Sequence, residues 1–289
     1  MNIRTIRTLA VGVVAALALG LYVGFLYGKE KRTKTHELLN AVLWMQSAQE
    51  YRMAVTQAFR QAEIMVERAL LQPDWTALPG QEGKTGGLKK AAVILDADET
   101  ILDNSPFQGQ MILDDDEFHL DKWFDWEVSG KPRLLPGARA FLERMKELKV
   151  KIFYVTNRSH KHSDKTLELF RDVLKIPIDD DGANLLSRDK PPTKGGDKQS
   201  RRDIVAGTHR VLLLIGDDLN DFVSGVRGEG ITPEKRKEIA EGHEDKWGRK
   251  WIVIPNPAYG SWERAHYGFR NDLTRAQRLE AKYRSVAGR

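Results

Sequence analysis

Four straight apolar runs punctuate the chain: Ala91-Ala92-Val93-Ile94-Leu95, Ile152-Phe153-Tyr154-Val155, Val211-Leu212-Leu213-Leu214-Ile215 and Trp251-Ile252-Val253-Ile254. Runs rich in Val, Ile and Leu, with no polar alternation, predict strands buried on both faces, as in a parallel sheet. Stretches with helical spacing lie around them. An amphipathic helix, Ala138 to Leu148, follows Pro136-Gly137 and feeds the second run, so strand, helix and strand predict a right-handed βαβ unit. Residues 35–72 place Met45, Val55, Phe59, Ala62 and Val66 on one face and predict one long helix packed on the body. Two Pro and four Gly between Pro73 and Lys89 predict a linker. Asp197 can cap a helix with Lys198 at its first position. Thr232-Pro233 opens a charged surface helix to about Glu244, and the turns from Asp272 read as a polar, basic surface helix or tail.

A third kind of pattern stands at the start. Between Arg7 and Lys29 lie 21 uncharged, mostly apolar residues, long enough to cross a bilayer. Ala16-Leu17-Ala18 offers a small-x-small cleavage site, but cutting there would leave a greasy new terminus, so an uncleaved N-terminal transmembrane helix is the expectation. Gly20, Gly24 and Gly28 permit close helix pairing and hence a homodimer. Basic residues flank both ends, so the positive-inside rule leaves the orientation open.

Charge follows the same division. The chain has a net charge of +5, and residues 1–35 alone hold six basic groups and one acid. The rest of the chain is neutral overall, so the basic balance is no sign of nucleic-acid binding, which calls for a basic patch on the folded domain. With no Cys in the chain, disulfides, zinc-thiolate sites, thiol nucleophiles and lipid attachment at a cysteine are all excluded. Gly83-Lys84-Thr85 is no phosphate-binding loop, because Leu78 stands where the leading Gly belongs.

The candidate chemistry sits where the strands end. Asp96 and Asp98 follow the first run directly, and ligands in open α/β sheets bind outside the carboxyl ends of strands. Two acids there invite a cation or a reaction; an Asx turn with both acids solvated is the bland alternative. Asp96-Ala97-Asp98-Glu99-Thr100 resembles the first motif of the haloacid dehalogenase superfamily. Three further motifs follow in that family's order: a strand ending in Thr156-Asn157, a Lys opening a helix at Lys198, and a strand ending in Gly216-Asp217-Asp218 with Asn220-Asp221 behind it. Lys190 and Lys194 are rivals for the third.

The closer resemblance is to the class C nonspecific acid phosphatases, including the lipoprotein e 5′-nucleotidases. It rests on Trp44-Met45-Gln46 with Glu50-Tyr51, on Asp96 through Phe107, on Trp123 and Trp126, on Phe153 through Arg158, on Gly216 through Phe222, and on Pro255 through Glu263. Ala97 replaces a larger aliphatic residue of that family, and the lipid-bearing Cys is missing. The resemblance implies an α/β, doubly wound parallel sheet with a helical cap. The implied boundaries are a signal anchor over 1–34, a helix and linker over 35–88, a phosphatase domain over 89–270 with a cap insertion at about 101–135, and a basic tail over 271–289.

The resemblance also implies the chemistry. Asp96 would be the nucleophile, Asp98 the acid and base, and Thr156, the backbone at Asn157 and Lys198 the holders of the phosphoryl oxygens. Magnesium would be bound by Asp96, the Asp98 backbone carbonyl and Asp217. Asp218 and Asp221 would support them, Asp221 counting among the metal-site acids. Phe107, Trp123, Trp126 and Tyr259 lie in segments that flank the family's active site, and Tyr259 with one of the two Trp is expected to clamp a nucleobase. The implied substrate is a small phosphomonoester, a nucleoside 5′-monophosphate above others, hydrolysed at the cell envelope with the domain in the periplasm. Two alternatives stand beside this: a phosphatase of another metabolite facing the cytoplasm, and a catalytically degenerate envelope binding protein.

Overall fold

The run before Asp96 forms β1 (Lys90–Leu95), the middle strand of a five-stranded parallel sheet. Beside it lie β4 (Lys151–Ser159) and then β5 (Leu185–Arg188) on one side, and β6 (His209–Gly216) and then β7 (Trp251–Val253) on the other. The chain works outward from β1 to β5, then returns to the other flank of β1. The strand order therefore reverses at β1, which puts the carboxyl ends of β4, β1 and β6 side by side. The computed structural model describes residues 35–85 and 90–287. The chain divides into two compact units, Met1–Glu37 and Leu38–Arg289, and its described helices and strands belong to the second. The 21-residue apolar segment lies outside the described residues; among those described, no helix is long and apolar enough to cross a membrane.

Both faces of the sheet are covered, which is why its strands read as unbroken apolar runs. Val93 and Leu95 of β1 enter the larger core with Val55, Phe59 and Phe141, while Ala92 and Ile94 enter a second core with Val205 and Trp251. The pairing of β1 with β6 shifts by one residue at Ala92/Val93. That bulge puts Leu212 and Leu213 both into the larger core. The Leu212 carbonyl takes a 2.8 Å hydrogen bond from the Trp75 indole, so the disturbed ladder leaves no orphan there.

The long helix expected over residues 35–72 is two. α1 (Leu39–Ser47) and α2 (Gln49–Leu70) meet at Ala48, whose backbone is extended. The break lets the two segments serve different partners. Val55, Phe59, Ala62 and Val66 of α2 pack into the larger sheet core, whereas Gln46 of α1 donates to the Ser105 carbonyl of the cap at 3.0 Å. The Trp44 and Tyr51 rings stack edge-on across the joint, 5.1 Å apart. The linker after α2 is anchored too: Gln81 bonds the backbone of Ala206 and His209, and Ala77 bonds Val211.

The cap leaves the sheet directly after β1. A two-residue antiparallel pair, β2 (Leu102–Asp103) with β3 (Arg133–Leu134), closes its base. Between them run α3 (Ser105–Asp114) and α4 (Leu120–Val128). The chain re-enters the body through α5 (Ala138–Glu147), as the amphipathic pattern predicts. Downstream come α6 (Ser163–Glu168), α7 (Gln199–Thr208), α8 (Pro233–Glu241) and α9 (Ser261–Ala265). The acidic run at the end of α3, Asp114 to Glu117, is paired. Asp115 pairs with Arg275 at 3.3 Å and Glu117 pairs with Arg278, both on the tail helix α10 (Arg275–Ser285), so the basic tail lies across the cap.

Candidate active site

The strand register brings the motifs together. Leu95 pairs with Tyr154 on one side and Ile215 on the other. Asp96 therefore stands one residue beyond the last pair, beside Thr156 and Asp217. Thr156 is still within β4, because that strand runs on past the expected Thr156-Asn157 end to Ser159, and Asp217 is the first residue past β6. The Asp96 amide donates to the Ile215 carbonyl at 3.0 Å and carries the ladder to the edge of the site.

Lys198 joins this group. It is buried at the N-cap of α7, one position earlier than the sequence predicts, and Asp197 ahead of it accepts from the Gln199 amide at 2.7 Å in the turn that enters the helix. Its ammonium lies 2.5 Å from an Asp96 oxygen and 2.6 Å from one of Asp221. Lys190 instead donates to the carbonyls of Gly182 and Leu185, and Lys194 is exposed. Asp221 is aimed by its own turn: its other oxygen accepts from the Asp218 amide at 3.0 Å. Gly216 is required there for space. A Cβ on Gly216 would fall 2.2 Å from an Asp221 carboxylate oxygen. Asp217 is oriented by Thr100 at 3.1 Å and by Asn256 at 2.9 Å.

Carboxylate oxygens of Asp96, Asp217 and Asp221 all lie within 4.8 Å of one another. Burial pushes the Asp96 carboxyl up to about 7; Lys198 pulls it down, and Asp221 and Asp98 push it up further. Burial, then Asp221 and Asp96, hold Asp217 well above the usual range. Three crowded acids with one lysine leave buried negative charge uncompensated. An all-oxygen donor set of this kind suits a hard divalent cation, so these residues fit one.

Asp98 stands apart from the triad. Its carboxylate is gripped by Arg158, whose nearest nitrogen lies 2.8 Å away, and by Asn104 at 2.9 Å. Next to it Glu99 is wholly buried with φ at 53°, a left-handed turn that redirects the chain into the cap. Glu99 accepts from the Asn104 amide and from the Tyr259 hydroxyl. Burial, with Asp98 nearby, raises the Glu99 carboxyl to about 8.

The aromatic residues divide. Phe107, Trp123 and Trp126 form one cluster in the cap, with ring centres 5.3 Å apart for Phe107–Trp123 and 6.0 Å for Phe107–Trp126. The Trp126 indole donates to Asn104 at 2.8 Å, one hydrogen bond from Asp98. Tyr259 meets the site through its hydroxyl, which donates to Glu99. Trp262 is 40% exposed and lines a separate groove of about 410 Å³ with Phe222, Ala240 and Trp247. His162 bonds the buried Glu127 at 3.1 Å.

Several residues carry the site without having been singled out by sequence. Arg201 is fully buried and donates to the Thr156 carbonyl at 2.5 Å and to the Asn157 side chain at 2.8 Å. Arg202 clamps the Asn220 and Asp221 carbonyls at 2.8 and 3.0 Å. In the sequence the two read as ordinary charges on a helix; only burial distinguishes them. Arg158, Asn104 and Asn256 lie in stretches that carry the resemblance, but no role attaches to them until the fold places them.

The comparisons agree with this geometry. The chain matches the family described as HAD superfamily, subfamily IIIB (acid phosphatase), over residues 29–262. A structure of the class C acid phosphatase from Bacillus anthracis is similar with a TM-score of 0.75 at 30% identity, covering 87% of this chain and 97% of that one. A second structure of that enzyme, with tungstate bound, gives a TM-score of 0.74 at 29% identity over the same 87% and 97%. The chain therefore belongs to subfamily IIIB of the HAD superfamily, the acid phosphatases, and is a phosphomonoesterase.

Proposed function

We propose that this enzyme is a magnesium-dependent phosphatase of nucleoside 5′-monophosphates that works through an aspartyl phosphate at the cell envelope. The observation that carries the reading is the meeting of Asp96, Asp217, Asp221 and Lys198 at adjoining strand ends, with Asp98 two residues after Asp96. Phosphoryl transfer needs positioning and charge neutralisation above all. Asp96 attacks phosphorus, and Asp98 protonates the leaving oxygen and later takes a proton from water. Thr156, the backbone at Asn157 and Lys198 hold the phosphoryl oxygens. Asp96, Asp217 and Asp221, with the Asp98 carbonyl, would hold magnesium, which when bound offsets the charge of the phosphate dianion. Tungstate in the Bacillus anthracis enzyme is a tetrahedral oxyanion of phosphate-like shape, which supports an oxyanion pocket here.

Selectivity has to come from groups over the leaving group, since every monoester offers the same phosphate. Tyr259, bonded to Glu99, and Trp126, one hydrogen bond from Asp98, with its neighbour Trp123, are the flat rings nearest the acid and would supply that selectivity. Stacking a base on one aromatic ring is worth about 1–3 kcal/mol. Tyr259→Ala should therefore raise KM for a nucleoside 5′-monophosphate at least about fivefold more than for glycerol phosphate. Equal shifts, or a wild-type preference for glycerol phosphate, would refute the nucleotide assignment. Envelope location rests on the apolar segment over 8–28. Protease digestion of the domain in spheroplasts supports a periplasmic side, and protection until lysis contradicts it.

A further inference from the structure

Asp98 is held from the cap. Arg158 lies near the end of β4, two residues past Thr156, and is 1% exposed. Its Nε is 3.1 Å from both Asp98 oxygens, and a terminal nitrogen is 2.8 Å from Oδ1. The other terminal nitrogen donates to the backbone carbonyl of Glu127, on α4, at 3.3 Å. A second arm runs beside the first. Trp126, also on α4, donates to Asn104 at 2.8 Å, and Asn104 donates to Asp98 Oδ1 at 2.9 Å. Two neighbouring residues of one cap helix thus reach the same carboxylate through two intermediaries.

The donors are unequally shared. Oδ1 accepts from Arg158 Nε, from the Arg158 terminal nitrogen and from Asn104. Oδ2 has the Arg158 Nε contact alone among the described residues. A carboxylic acid so held keeps Oδ1 as the acceptor and leaves Oδ2 to carry the proton. The planar guanidinium fork fixes the carboxylate plane in a way that a lysine ammonium, a point charge on a flexible stem, does not.

We infer that Arg158 is a positioning residue for the proton-transfer step, presenting Oδ2 of Asp98 to the leaving oxygen and tying that orientation to cap helix α4. The inference rests on the reading of Asp98 as general acid. In that step an Asp96 oxygen bonds phosphorus as the ester P–O bond breaks, and the Asp98 proton passes to the departing oxygen. An alkoxide needs that proton to leave, whereas dinitrophenolate leaves without it. A residue that places the acid therefore matters for alkyl esters and hardly at all for the activated aryl ester. A residue that only holds the fold together affects both alike.

The test compares kcat/KM for glycerol phosphate and dinitrophenyl phosphate in magnesium-supplemented wild-type, Asp98→Asn, Arg158→Lys and Arg158→Met proteins. The ratio of the two values within one preparation does not depend on the fraction folded, and Arg158→Lys keeps a cation in the buried site. General acid catalysis is worth about 10²–10⁴-fold. Asp98→Asn should lose about that much more on glycerol phosphate than on the aryl ester, and both Arg158 variants should lose at least about tenfold more. Equal losses on both esters in the Arg158 variants, with Asp98→Asn still discriminating, would overturn the positioning role. Equal losses in Asp98→Asn itself would overturn the general-acid reading, and the inference with it.

Discussion

At the residue scale, the site depends as much on what a position lacks as on what it bears. Gly216 ends β6, and the Asp221 side chain occupies the space a Cβ would take, at 2.2–2.5 Å. Those are backbone-determined approaches, since the turn through Asp218 holds Asp221 by its second oxygen. Gly216→Ala should push Asp221 off Lys198 and out of the acidic triad while leaving the sheet intact. Activity should fall by at least about tenfold, and the magnesium concentration for half-maximal rate should rise, because the lost contact is electrostatic and ligand-placing. Unchanged metal dependence in a folded Gly216→Ala protein would contradict this account of the glycine. The same scale shows where sequence reasoning stops. Asp96, Asp98, Lys198 and Asp217 stand just off strand or helix ends and Thr156 lies in the last half of β4, and a motif displays such positions. Arg158, Arg201 and Arg202 act by being buried, and one-dimensional spacing does not distinguish a buried arginine from a solvated one.

At the element scale, the strands were legible because two covered faces leave no room for polar alternation. All four apolar runs became sheet strands, and β5, short and polar at its end, had no such run to announce it. The two-helix start was not legible. Ala48 continues the apolar face, and nothing local stops a helix there; the break follows from α1 serving the cap while α2 serves the sheet. The pairing of the cap's acidic run was hidden in the sequence for a related reason. Its partners, Arg275 and Arg278, are some 160 residues away in sequence, and only the folded chain brings them across. Such partly exposed pairs contribute modestly, each about 0–1 kcal/mol, so the tail trims the cap and does not hold it.

At the scale of the whole molecule, the site places its burden on the fold. Burial raises Asp96 to about 7 and Glu99 to about 8, and holds Asp217 well above its ordinary range. In the unfolded chain these carboxyls titrate near about 4. Between that value and the raised ones, the folded protein keeps protons that the unfolded chain has released. Stability therefore falls as pH rises through this window, since folding must take up protons that are becoming scarce. Metal-free protein should show a Tm that declines from about pH 5 to about pH 8. On the proposed function, added magnesium should recover most of the loss at the upper end, because a divalent cation held by the triad would bind the ionised acids of the folded state alone. A metal-free Tm that is flat or rises across that range would contradict the electrostatic picture of the triad.

The central claim is that Asp96 takes the phosphoryl group onto its own carboxylate. The most direct measurement mixes magnesium-loaded enzyme with a phosphomonoester, quenches in acid within the first turnovers, and maps the phosphate by peptide mass spectrometry. The account predicts phosphate on the peptide carrying Asp96, released by hydroxylamine as an acyl phosphate is, and absent from Asp96→Asn, whose turnover falls by on the order of 10⁴-fold or more with the fold retained. Phosphate on another residue, or near-normal turnover by a folded Asp96→Asn protein, would contradict it.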